Sequence, residues 1–218
     1  MPADLTAVTA AVLHLSDFRP GAMSRISPLP AYSTANTQTH YPTPQDLAVM
    51  YDLPVGSNSI YPGQGQSIAI VGQSYVDLSL NSIERAFVRT ATPSLQTVLL
   101  PGTGVEAISP DDALESEIDL EYASGLLNQA QIFLVHVGSD PNFNVFDALA
   151  FAIDQDIAPV VSISYGQCEL LLSQADLAQG NAIFEQAASQ GPDADCGVRG
   201  FRFDSVRCRG HLRHVHRG

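Results

Sequence analysis

The chain of 218 residues contains no lysine, and its formal net charge at pH 7 is −13. A protein that binds nucleic-acid phosphates needs a basic surface, so this composition argues against a nucleic-acid partner. The chain also lacks an apolar run long enough to cross a membrane, and its first residues lack the cationic segment that opens a signal peptide. We therefore expect no membrane partner and see no export signal.

Cysteine is scarce as well. The three cysteines are odd in number and have no metal-ligand spacing, so they predict neither a disulfide framework nor a metal site. His211, His214 and His216 lie close together, but no regular element is predicted there to hold them in a ligand geometry. Gly63-Gln-Gly-Gln66 precedes a predicted strand, whereas a dinucleotide fingerprint follows one. The sequence predicts no metal ion and no nucleotide cofactor.

Strand and helix patterns alternate over residues 65–190. Strand patterns cover 67–72, 95–100, 130–137 and 159–166, and helical patterns cover 80–89, 111–126, 144–155 and 174–190. This alternation predicts an α/β fold with a parallel, doubly wound sheet. Ligands of such sheets bind beyond the carboxyl ends of the strands, so the loops after Gly72 and Gly166 should open at the site.

The residues before this region have a different composition. Proline, serine and threonine without periodicity predict an extended arm over residues 20–46. A short helix is predicted to follow, with Thr43 as its N-cap and Pro44 as its first residue.

The helix predicted over residues 111–126 carries two acidic residues on its apolar side. At about 100° per residue, Glu115 and Asp119 lie one turn apart beside Ile118, Tyr122 and Leu126. One interpretation is that the helix is rotated slightly and both carboxylates lie at its wet edge. The other is a coupled acid pair at a functional site, in which one shared proton separates the two pKa values.

Other candidate residues carry weaker signals. His136 lies within a predicted strand, where a core histidine with satisfied hydrogen bonds is the simpler interpretation. Ser162 and Ser164 share one face of a strand and are more typical of structural than of nucleophilic serines. No Gly-x-Ser-x-Gly nucleophile motif occurs.

Five segments along most of the chain carry a further signal. They are Leu13-His-Leu-Ser-Asp-Phe-Arg-Pro20, His40-Tyr-Pro-Thr-Pro-Gln-Asp-Leu47, Gly65-Gln-Ser-Ile-Ala-Ile-Val-Gly-Gln73, Glu115-x-x-x-Asp119 and Ala158-Pro-Val-Val-Ser-Ile-Ser-Tyr-Gly166. In this order they resemble segments of the sedolisins, the serine-carboxyl peptidases with a subtilisin-like fold.

This resemblance implies a role for each candidate residue. Glu115 would be the general base that takes a proton from a nucleophilic serine, and Asp119 would hold and tune Glu115. Ser164, Tyr165 and Gly166 would border the cleft that binds a polypeptide substrate. The resemblance also implies an extracellular location and activity at acidic pH.

The sequence departs from the family pattern in its last part. The family's oxyanion aspartate in a Gly-Asp-Ser-Gly-like turn, its nucleophile in a Ser-Gly-Thr-Ser-like segment and its calcium site have no counterpart here. We therefore expect no cofactor in this chain. Residues 1–46 would be a propeptide remnant and linker, residues 47–191 the first part of a peptidase domain, and residues 192–218 an aberrant tail.

The charge of the tail supports that division. Residues 1–190 hold four arginines and twenty acidic residues, whereas residues 191–218 hold six arginines and three acidic residues. Read one nucleotide later, codons for Arg199-Gly-Phe-Arg202 can encode Gly-Asp-Ser-Gly, the missing turn. A frameshift therefore explains the tail, which should be disordered or poorly packed.

The expected function is that of an acid-acting serine-type endopeptidase by descent. Since Glu115 and Asp119 supply only the base side of the mechanism, the chain by itself should not hydrolyse peptides. Ser205 follows Asp204 in an arginine-rich context and is a poor substitute nucleophile. The alternatives are a non-catalytic peptide-binding remnant and a fragment without function.

Overall fold

The computed structural model describes residues 13, 19–22, 44–53, 63–78, 94–127, 129–166 and 172–190. The elements in chain order are β1 (Gly21–Ala22), α1 (Pro44–Met50), β2 (Ser67–Gly72), β3 (Ser94–Leu99), α2 (Pro110–Leu126), β4 (Gln131–His136), α3 (Val145–Asp154), β5 (Val161–Ile163), β6 (Tyr165–Gly166) and α4 (Gln174–Ser189). This order confirms the predicted α/β class. The helix predicted over 80–89 and the tail predicted over 192–218 lie outside the described residues.

Four parallel strands form the central sheet, in the order β3-β4-β2-β5. The inner pair is in register from Ser67 opposite Gln131 to Gly72 opposite His136. Isoleucine, valine and leucine dominate these strands because both faces of a parallel sheet are covered. The sheet is therefore doubly wound, as the sequence predicts.

Each face of the sheet has its own apolar core. The larger core contains strand residues such as Val135 together with Leu149 of α3 and Ile183 of α4. The smaller core joins β2 and β4 to α2 through Ile70, Val76, Leu120, Ile132 and Leu134. Full burial of a side chain of this kind stabilises the fold by about 1.5–3 kcal/mol. The apolar contacts of the smaller core hold α2 against β2 and β4.

Helices α3 and α4 begin at side-chain caps. Asn144 caps α3 by accepting from the Phe146 amide at 2.9 Å, and the Asp147 carboxylate accepts from the Asn144 amide at 2.8 Å. Ser173 and Asp176 form the same reciprocal box at the start of α4. Such boxes satisfy helix N–H groups that have no intrahelical partner, which is why both helices start at these positions.

The single strand predicted over residues 159–166 is wrong. The chain forms two short strands that are interrupted at Ser164 and have different partners. β5 pairs in parallel with β2, whereas β6 pairs antiparallel with β1, with Gly21 opposite Gly166 and Ala22 opposite Tyr165. β2 ends one residue after Val71, which lies opposite Ile163, so the chain beyond Ile163 needs another partner. The N-terminal arm supplies it.

Candidate active site

The helix α2 places one carboxylate inside the protein. Glu115 is only 5% exposed, although it is an acidic residue, and Asp119 one turn later is half-buried. Both lie on the helix that packs against the ends of β2 and β4. The interpretation in which both acids lie at a wet edge is wrong for Glu115.

The buried face of α2 differs from the one predicted by the apolar pattern. The apolar side predicted from the sequence includes Ile118, Tyr122 and Leu126, but these side chains are only half-buried. The buried residues are small ones with Leu120 and Glu115 among them, namely Ala113, Glu115, Ser116, Leu120, Ser124 and Gly125. The reason is close packing, because a Cβ atom added to Gly72 of β2 would lie 2.7 Å from the Ser116 hydroxyl oxygen.

Asp119 lies within reach of the Glu115 charge and contacts Ser164, the residue between β5 and β6. Burial raises the pKa of Asp119 to about 6, and the negative charge of Glu115 contributes in the same direction. The Ser164 hydroxyl hydrogen-bonds to the Asp119 carboxylate and partly offsets this rise in pKa. Three of the residues singled out by sequence, Glu115, Asp119 and Ser164, therefore meet at one point, and the coupled acid pair stays a prediction.

Tyr165 and Gly166 form β6, directly after Ser164 in the chain. Tyr165 is 1% exposed, and its hydroxyl oxygen accepts from the Gln73 amide at 3.3 Å. Burial, and then the negative charge of Asp112, raise the pKa of Tyr165, so it stays protonated. Gly166 is half-buried and pairs with Gly21. The surface beside Asp119 is thus the edge of a strand that already holds an extended segment.

Gln73 connects these elements, and the sequence analysis did not single it out as a functional residue. Its side-chain nitrogen donates to the Asp112 carboxylate at 3.0 Å and to the Pro20 carbonyl at 2.9 Å. Its side-chain oxygen accepts from the Val145 amide, the first residue of α3, at 3.2 Å. The available signal was its position directly after β2, where the loop was predicted to open at the site.

The start of α2 is held by the same network. The Ser109 hydroxyl donates to the second oxygen of Asp112 at 2.6 Å, and the Ser109 amide donates to the Ser74 hydroxyl at 3.0 Å. Asp112 lies almost one turn before Glu115 and Ser116. These bonds therefore hold the first turn of α2, and with it Glu115, against the carboxyl end of β2.

His136 is the last residue of β4. The prediction that it is a core histidine with satisfied hydrogen bonds is wrong for one of its two ring nitrogens. The ring is fully buried, lies 5.8 Å from the Tyr75 ring between centroids, and has Nδ1 at 3.1 Å from the Val137 carbonyl. Within the described part of the chain, His136 Nε2 has no hydrogen-bond partner. Burial lowers the pKa of His136, so the ring is neutral near pH 7.

Among the described residues, no group of three or more histidine, cysteine, aspartate or glutamate side chains could hold a metal ion. These residues therefore do not fit the calcium ion that the family resemblance implies. Among the same residues, no helix is both long and apolar enough to cross a membrane.

The architecture has a counterpart among solved structures. The fold is similar to that of Pseudomonas sedolisin. That protein, described as a serine-carboxyl proteinase complexed with two molecules of pseudo-iodotyrostatin, superposes with a TM-score of 0.54 at 20% sequence identity. The match covers 68% of this chain and 42% of the sedolisin chain. No protein-family model matches the sequence, and no curated protein matches it.

This similarity establishes a distant sedolisin-like fold. The chain spans less than half of the length of the sedolisin structure that it matches. The fold agrees with the resemblance drawn from the sequence motifs, whereas the roles of Glu115, Asp119, Ser164, Tyr165 and Gly166 stay predictions. What the geometry adds is that Glu115, Asp119 and Ser164 converge beside β6.

Proposed function

We propose that the chain carries the carboxylate half and the substrate-binding strand of a serine-carboxyl peptidase, and that it binds extended polypeptides without hydrolysing them. The observation that carries this proposal is the pairing of Gly21–Ala22 on Tyr165–Gly166, directly beside the Ser164–Asp119 hydrogen bond. A strand edge that holds one extended segment by main-chain pairing offers the same hydrogen bonds to a peptide of similar shape. Family membership and an extracellular location are part of the proposal.

In this site Glu115 is the proton acceptor and Asp119 is its partner. Burial raises the pKa of Asp119 to about 6, so this carboxylate can take up and release a proton in the acidic range. Hydrolysis also needs a nucleophile within about 2.6–3.2 Å of its base and donors for the oxyanion. The Ser164 hydroxyl instead bonds to Asp119, the member of the pair that tunes the base.

The binding test uses labelled, unfolded casein peptides. In the intact chain the arm competes for β6, so we compare it with Ala22→Asp, which places a carboxylate against the larger core and loosens the arm. Gly21→Asp is the matched control, because Gly21 is exposed and a Cβ there meets no atom within 4 Å. We expect tighter binding by Ala22→Asp than by Gly21→Asp, measured by fluorescence anisotropy.

The activity test uses the same protein and full-length casein from acidic to neutral pH. We expect no turnover. Turnover that Glu115→Gln abolishes would contradict the non-hydrolytic part of the proposal, because a nucleophile would then complete the site. Turnover abolished by Ser164→Ala as well would identify the Ser164 hydroxyl as that nucleophile. Failure of every variant to bind casein peptides would contradict the peptide cleft itself.

A further inference from the structure

Residues 19–22 of the arm, of which Gly21 and Ala22 pair with β6, show an alternating pattern of burial. Pro20 is buried, Gly21 is exposed, and Ala22 is half-buried against the larger core. Successive side chains of a strand point to opposite sides, so this is the pattern of an extended segment with one face against the protein. The exposed position has open space around it, because a Cβ on Gly21 would meet no atom within 4 Å.

Two polar contacts fix the register of this segment. The Gln73 side-chain nitrogen donates to the Pro20 carbonyl at 2.9 Å, and Arg19 Nε donates to the Phe143 carbonyl at 3.1 Å. Gln73 is 3% exposed and is held in place by its bonds to Asp112 and Val145. A donor that is already oriented loses little entropy when it binds an acceptor, so Gln73 is well suited to bind a peptide carbonyl.

We infer that the cleft selects extended peptides by a four-residue pattern, and that Gln73 is a binding residue of the site. The pattern requires an apolar residue of modest size at the Pro20 position and a small apolar residue at the Ala22 position, and it accepts any side chain at the Gly21 position. At the Arg19 position, a long side chain that donates a hydrogen bond to the Phe143 carbonyl strengthens binding of the peptide. This inference rests on the proposed function and specifies its ligand class.

The size limits follow from the packing. The Ala22 side chain lies against a core whose members are fully or nearly fully buried, so a larger or charged group must displace them or bury its charge. The Arg19 position should contribute less to the binding free energy than the Pro20 and Ala22 positions. Arg19 Nε gains one hydrogen bond, to the Phe143 carbonyl. Within the described residues, Arg19 Nη2 is buried without a partner, so the loss of its water offsets part of that gain.

The experiment replaces the arm by peptides in an otherwise complete chain. A recognition site for a specific protease is inserted between Asn36 and Thr37, the folded protein is cut, and the arm is exchanged for a labelled synthetic peptide with the sequence of Asp17–Ser24. The series contains the parent peptide and single changes at four positions, Arg19→Ala, Pro20→Asp, Gly21→Lys and Ala22→Asp. Dissociation constants are measured by fluorescence anisotropy.

We expect Gly21→Lys to bind within about 2-fold of the parent, and Arg19→Ala to bind about 2- to 10-fold more weakly. Pro20→Asp and Ala22→Asp should bind at least about 10-fold more weakly, because the first buries a carboxylate and the second places one against the larger core. On the protein side, Gln73→Glu keeps an acceptor for the Val145 amide but cannot donate to the peptide carbonyl, so it should weaken all peptides. Gln66→Glu, at an exposed position, is the matched control.

Each outcome decides between the inference and the proposed function. Equal binding of all five peptides would overturn the four-residue pattern while leaving a general peptide cleft in place. No binding of any peptide to a cut chain that keeps its circular dichroism spectrum would overturn both. Loss of the folded spectrum when the arm leaves, or an arm that never exchanges, would show that the arm is an integral part of the fold and would overturn the inference. If Gln73→Glu does not fold, the dissociation constants of the five peptides with the parent chain decide whether the four-residue pattern holds.

Discussion

The Ser164 hydroxyl hydrogen-bonds to the carboxylate of Asp119, so the interruption between β5 and β6 is connected directly to helix α2. This contact joins a residue from the cleft strand to a residue from the acid pair, although 45 positions separate them in the sequence. Residues from the two segments therefore lie at one point of the fold.

The first prediction concerns the raised pKa of Asp119. Its ordinary value is 3.8 and its value in the folded protein is about 6, so the unfolded chain loses its proton first as the pH rises. The folded state should lose stability between about pH 4 and pH 6, by on the order of 3 kcal/mol. Asp119→Asn should remove this loss and be more stable than the parent at pH 7. Urea unfolding at several pH values measures it.

The control for this variant is Asp156→Asn, a change at an exposed position whose positive φ of 48° asparagine also adopts. It should leave the pH dependence unchanged. Burial also raises the pKa values of Glu117 and Glu121, so Asp119→Asn should flatten the curve without abolishing its slope. An unchanged slope in Asp119→Asn would show that the carboxylate is not buried as described.

The second prediction concerns His136 and has the opposite sign. Burial lowers its pKa below 6.5, so on acidification the unfolded chain takes up the proton first. Stability should therefore fall as the pH drops below 6.5, by up to about 1.4 kcal/mol per pH unit. Glu106, whose charge favours the protonated ring, moderates this loss. His136→Phe keeps an aromatic ring of similar size and should remove this loss in urea unfolding.

The third prediction tests Gln73 as a structural link. Gln73→Met keeps the length of the side chain but removes its bonds to Asp112, Pro20 and Val145. The buried Val145 amide is then left without its acceptor, so the free energy of unfolding should fall by about 2–4 kcal/mol. Gln66→Met, at an exposed position, should change it by less than about 0.5 kcal/mol. Similar losses in both variants would show that the network contributes no stability.

The fourth prediction concerns the contact of α1 with α2. A Cβ added to Gly125 would overlap the ring of Pro44, the first residue of α1. Gly125→Ala should therefore lower the free energy of unfolding by about 1–3 kcal/mol, although alanine favours helix. Pro44→Ala in the same chain should recover part of the loss, because it removes Cγ, the ring carbon nearest to the new methyl group, although Cβ stays. Gly21→Ala, with open space around it, should be neutral.

Local signals in the sequence account for most of the secondary structure. The strand at 67–72 matches its predicted bounds, and the helices starting after Asn144 and Ser173 begin at the capping residues. Glu115 and Asp119 were found because two acids with one-turn spacing on an apolar helix face are unusual. Gln73 could not be found in this way, because a glutamine after a strand has many equivalent environments and only its partners distinguish it.

By itself, the sequence determined the α/β alternation, the parallel sheet and the one-turn spacing of the acid pair, since these depend on periodicity and capping within short segments. Tertiary structure decided which side of α2 is buried, because Ser116 and Gly125 allow a close approach that apolar content alone does not predict. It also decided that the strand after Val161 is interrupted at Ser164, since β2 ends there and the arm provides the next hydrogen-bonding partner. The contact between Ser164 and Asp119 depends on the buried side of α2 and on the interruption at Ser164, so only the folded chain shows it.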